Sequence, residues 1–107
     1  MVVTGITDHL AEIHARMAAA AATAGRKVAD ITLVGVSKGH PVGAVRSGLE
    51  AGLRDFGENY VQEALPKIAA ANRDVIWHFI GRIQSNKTRE IAESFAWVHS
   101  LDRARIA

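Results

Sequence analysis

The chain has 107 residues, 49% apolar and 22% charged, with a formal net charge of +2, which allows one small soluble domain and no more. Its basic residues form no stripe, so a nucleic-acid surface is not indicated. With no cysteine there are no disulfides, zinc–thiolate centres or thiol catalysis, and with no membrane-length apolar run or secretory leader the expected location is the cytoplasm.

Ile6, Leu10, Ile13, Met17 and Ala20 recur at three- and four-residue steps and predict a helix over 6–24. Asp8 falls in its first turn, Gly25 follows as the C′ residue, and the alanine run Ala18 to Ala22 suggests a close helix contact. Apolar strands then centre near Val34, Asp55, Trp77 and Val98, at steps of about 21 or 22 residues, the length of a strand–loop–helix unit. The first strand spans Ile31 to Lys38. A helix follows from Pro41, using Val42, Val45 and Leu49 and stopping at Gly52. The next segment holds Tyr60, Val61, Leu65 and Ile68; Pro66 predicts a turn first and a helix from near Leu65. A third helix is expected from Ser85 to Phe95, capped by Ser85 or Asn86, and Asp102 could cap a fourth beginning at Arg103. Strands alternating with helices, and no hairpin signals, predict a parallel α/β sheet with right-handed crossovers and no second domain.

In such a fold the carboxyl ends of the strands share one rim, where ligands bind. That rim collects Ser37, Lys38, Gly39 and His40, then Gly57, Glu58 and Asn59, then Gly81, Arg82, Gln84, Ser85, Asn86 and Lys87, then His99 and Ser100. Helix capping accounts for Ser85, Asn86 and Asp102. It accounts less well for Lys38 and His78, which belong to apolar strands: by alternation Lys38 shares a face with Val34 and Val36, and His78 with Ile76 and Ile80. A lysine at a strand's open end is expected to be partly desolvated, which disfavours the ammonium and makes the amine able to condense with a carbonyl. The plainer alternatives are a lysine reaching to water and a histidine satisfied in the core. Other chemistries fit poorly. His9 and His14 lack metal-ligand spacing, and His78 and His99 stand alone. There is no phosphate-binding glycine motif. Ser37 and His40 have no visible acidic partner, and Asp55 with Glu58 makes a weak carboxylate pair.

The segments LVGVSKGHP, RDFGENYVQEALPKI, WHFIGRIQSNKTR and WVHSLDR, in this order and spacing, resemble the pyridoxal phosphate (PLP) homeostasis protein family over about residues 31–105. The resemblance implies the N-terminal part of a TIM-type, alanine-racemase-like (β/α) barrel, with residues 1–107 a single partial domain. It implies PLP held as a Schiff base on Lys38, Asn59 lining the cofactor site, His78 beneath the ring, and Ser85, Asn86 and Lys87 on the same rim. It implies no catalytic reaction, but buffering and delivery of PLP, with apo-enzymes as partners and effects on amino- and keto-acid balance. A racemase or decarboxylase of the same fold type, or a fragment that binds nothing, are the alternatives. Gly39 departs from the threonine common in the family and is expected to loosen the strand end. A full barrel takes roughly 200–250 residues, so this chain is expected to lack the later phosphate-binding loops, to hold PLP weakly or not at all, and to form a homo-oligomer through open sheet edges.

Overall fold

A computed structural model describes residues 6–71 and 74–100. Helix α1 (Ile6–Thr23) opens it. Its end is a Schellman motif: the Gly25 N–H donates to Ala22 O (3.2 Å) and the Arg26 N–H to Ala21 O (2.8 Å). Leu10 and Ala21 are buried and Met17 is half-buried, whereas Ile13 is 40% exposed. The inward stripe therefore runs through Ala21 and not through the expected Ala20. After a 3-10 turn at Val28–Asp30 come β1 (Val34–Val36), α2 (Val42–Glu50), β2 (Asp55–Glu58), α3 (Val61–Ala70) and β3 (Ile76–Phe79). A second 3-10 turn (Ser85–Lys87), α4 (Thr88–Ser94) and β4 (Trp97–Val98) complete the described elements. The predicted fourth helix at Asp102 and Arg103 lies outside the described residues.

Three local expectations need correction. β1 is shorter than Ile31 to Lys38: the Ile31 N–H closes the 3-10 turn onto Val28 O (3.1 Å), and beyond Val36 only the Ser37 N–H still pairs, with Gly57 O at 3.0 Å. Pro66 does not interrupt its segment, since α3 is continuous through it. Pro66 and Gln62 both lie on the exposed side, so the carbonyl that loses its helical partner can turn to water, while Val61, Ala64 and Lys67 anchor the opposite side. Neither Ser85 nor Asn86 is a cap. The turn begins one residue earlier, with Gln84 and Lys87 at the two N-cap positions and no side-chain cap bond at either, and Ser85 and Asn86 are exposed within the turn.

The strands form one parallel sheet in the order β1-β2-β3-β4, with Val36 opposite Gly57, Gly57 opposite His78, and His78 opposite Trp97. This is an open arc of a (β/α) barrel. Alternation gives it two unlike faces. On the covered face Phe56, Trp77 and Phe79 pack with Val45, Val61, Ala64, Ile83, Ile91 and Phe95. Phe79 meets Phe95 edge-on at 5.2 Å, and burying each such ring contributes about 1.5–3 kcal/mol. On the other face Val36 is 50%, Ile76 40% and Trp97 60% exposed. The radius of gyration, 15.2 Å, exceeds the about 13 Å of a compact 100-residue domain.

Candidate functional site

The strand period decides where the rim residues go. Ser37 falls on the same face as Phe56 and Glu58, the helix-covered one, and Glu58 is fully buried there. A buried carboxylate must be paired and hydrogen-bonded. Lys67, from the inward side of α3, supplies the charge: its Nζ donates to Glu58 Oε1 (3.3 Å) and Oε2 (3.2 Å), to Glu63 Oε1 (3.2 Å) and to Ser37 O (2.8 Å). The Ser37 hydroxyl donates to Glu58 Oε2 and the Gly39 N–H to Glu63 Oε1. These bonds, the Gly39 N–H first and the Lys67 ammonium next, hold the Glu63 carboxyl below its ordinary value. Ser37 thus has the acidic partner that the sequence did not reveal. Being buried, it serves as a strut and not as a nucleophile.

Lys38 lies in the turn between these tied residues and is exposed. The expected shielding is absent, because the strand ends at Val36 and the turn Ser37–His40, closed by the His40 N–H on Ser37 O (3.0 Å), carries Lys38 beyond the sheet. Gly39 does not loosen this strand end. It takes φ 75°, a left-handed conformation that a β-branched residue adopts only with strain, and its amide is one of the two anchors.

The open face carries a second polar group. His78 is buried, with Nε2 at 2.8 Å from Asp55 Oδ1 and Nδ1 at 2.9 Å from His99 Nε2. Trp97 stacks beside it at 6.3 Å and His99 at 5.1 Å. His78 thus bridges Asp55 and His99 through its two ring nitrogens. His78 and His99, which each stand alone in the sequence, are joined here by the sheet register. Asp55 and Glu58 face opposite sides with separate partners and do not form a carboxylate pair. Among the described residues no cluster could hold a metal ion, and no helix is long and apolar enough to cross a membrane.

Between the loops after β2 and β3 lies a groove of about 660 Å³ lined by Asn59, Tyr60, Arg82, Gln84, Asn86 and Lys87 among others. Asn59 Oδ1 is buried without a hydrogen-bond partner. Gly81 presses against this residue: a Cβ there would lie 2.1 Å from Asn59 O. The Ser100 hydroxyl in turn donates to Gly81 O. The structure therefore brings Asn59 and Asn86 to one groove and places Ser85 on a neighbouring one. Lys38 stands on its own turn, and His78 on the open face.

No family model matches the chain. It is 57% identical over 103 residues to the pyridoxal phosphate homeostasis protein of Pseudomonas aeruginosa, covering 95% of this chain and 45% of that protein. It is 46% identical over 106 residues to the Escherichia coli protein of the same name, with the same coverage. The solved structure of PipY from Synechococcus elongatus with PLP bound matches at a TM-score of 0.78 and 38% identity, over 94% of this chain and 44% of that one. The PLP-free form matches at 0.71 and 40%, over 84% of this chain and 43% of that one. The chain thus spans about half the length of the relatives it matches. In sequence and in fold alike, it is a relative of the pyridoxal phosphate homeostasis proteins and matches their N-terminal half.

Proposed function

We propose that this chain is the lysine-bearing part of a cytoplasmic PLP-binding protein of homeostasis, a carrier that buffers and delivers PLP to apo-enzymes and so affects amino- and keto-acid balance. Residues 1–107 form a single partial barrel domain in this reading. The observation that carries it is Lys38: an exposed amine with no ion pair among the described residues, on a turn tied at both flanks, in a chain similar to PipY, whose structure was solved with PLP. When bound, PLP supplies an aldehyde that condenses with a primary amine.

In this reading Lys38 takes the aldehyde, and Asn59, His78, Ser85 and Asn86 are the residues proposed to surround the group. Lys67 is no competitor for the aldehyde, because its ammonium is buried among Ser37, Glu58 and Glu63. The unpartnered Asn59 Oδ1 leaves an acceptor for a ring substituent, and His78, fixed in orientation by Asp55 and His99, is the residue that the family resemblance sets beneath the ring. Ser85 and Asn86 would border the cofactor from the rim. Both ring nitrogens of His78 are engaged, one by Asp55 and one by His99.

On mixing the chain with PLP and reducing with borohydride, the adduct is expected on Lys38 by peptide mass mapping and is expected to vanish in Lys38→Arg. An adduct on Lys27 or Lys87 with Lys38 bare would overturn the assignment. The edges of β1 and β4, unpaired among the described residues, and the apolar face bearing Val36, Ile76 and Trp97, favour self-association. Light scattering at micromolar concentration is expected to report a homo-oligomer, and a clean monomer would count against it.

A further inference from the structure

We infer that Glu63 is a positioning residue for the Lys38 amine, acting with Lys67 and Glu58 by fixing the two residues on either side of it. The inference rests on Lys38 being the amine that takes PLP. Nothing in the described structure holds the Lys38 side chain itself, so its direction is set by its backbone. That backbone is fixed from outside its own strand and helix. Ser37 is held three ways: its N–H to Gly57 O (3.0 Å), its carbonyl to Lys67 Nζ (2.8 Å), and its hydroxyl to Glu58. Gly39 is held by its N–H on Glu63. Lys67 and Glu63 are one helical turn apart on α3 and bond each other at 3.2 Å, so the two flanks are tied to one rigid element. Such an arrangement limits the directions an unpartnered amine can sample, and it raises the fraction of encounters in which the amine meets a bound aldehyde in line. Charge-assisted bonds to backbone groups are the stronger kind, which suits them to hold a turn whose φ at Gly39 is 75°.

Glu63→Gln tests this, since it keeps the shape and removes the charge. In the wild-type chain the Gly39 amide is expected to be protected from hydrogen exchange. In Glu63→Gln its exchange is expected to quicken tenfold or more, with the circular dichroism spectrum unchanged. The Lys38-to-Lys27 ratio of borohydride-trapped PLP is expected to fall at least threefold. A parallel reductive methylation with formaldehyde, too small to need a pocket, should leave the Lys38-to-Lys27 ratio within twofold. A variant that merely loosened the fold would change both ratios. If Glu63→Gln lost the native spectrum, Glu63→Asp, which keeps the charge one methylene shorter, would answer the same question. Gly39 exchange and a PLP ratio unaltered by the substitution would overturn the inference. A wild-type chain with no PLP on Lys38 but a Gly39 amide that responds to Glu63→Gln would instead overturn the cofactor reading and leave the tether standing.

Discussion

Lys67→Met will destabilise the folded chain by about 3–5 kcal/mol, the cost of leaving one member of a buried ion pair alone. Glu58 is fully buried, and the Lys67 side chain is 9% exposed. Without the ammonium, Glu58 keeps only the Ser37 hydroxyl, and Ser37 O loses its 2.8 Å donor. Urea unfolding should show the midpoint falling with the slope unchanged. The double variant Glu58→Leu/Lys67→Met should recover much of the loss, because an apolar pair of similar volume removes both desolvation costs at once. A single-variant loss below about 1 kcal/mol is what an exposed pair gives, and it would mean that water reaches this pair in solution.

Gly81→Ala is the second large effect. The added Cβ would lie 2.1 Å from Asn59 O, 2.7 Å from its carbonyl carbon and 2.8 Å from its Cα. All three are backbone atoms, so no side chain can swing away and the loop itself must move. The expected destabilisation is at or above the upper end of the about 1–3 kcal/mol seen for overpacking, with the Asn59 and Ser100 resonances displaced. Gly43→Ala is the control. It lies in α2 with nothing within 4 Å of its added Cβ, and an alanine in a helix gains about 0.5–1 kcal/mol over glycine. If the two substitutions proved equally mild, the close approach of the two loops would not exist in solution.

The parallel sheet was legible because each strand is a short apolar run followed by turn chemistry, and all four predicted strand centres, Val34, Asp55, Trp77 and Val98, fall within observed strands. The Ser37–Glu58–Lys67 cluster was not legible, for a reason that can be named. Pro66 suggested that the helix starts near Leu65, which would leave Lys67 in a first turn facing water. Had the helix been carried through the proline, Lys67 would have fallen three residues after Ala64 and six after Val61, on the inward stripe. Strand alternation puts Glu58 on the face of Phe56, so a charge on each of two facing core surfaces was the available signal. The pairing of His78 with Asp55 and His99 depends on how the strands are staggered, which periodicity within one strand does not encode. The exposure of Lys38 turns on where β1 ends, and element boundaries are the least readable feature of any sequence.

The loops at the carboxyl ends of the strands are not independent. The first is pinned through Glu58 and α3, the second is wedged under Gly81, and the fourth reaches back through Ser100 to that same glycine. Mechanically this makes the crown of the arc a single hoop segment and not four separate fingers. A chain of neighbouring contacts therefore runs from the turn that bears Lys38, through Glu58, Asn59 and Gly81, to Ser100.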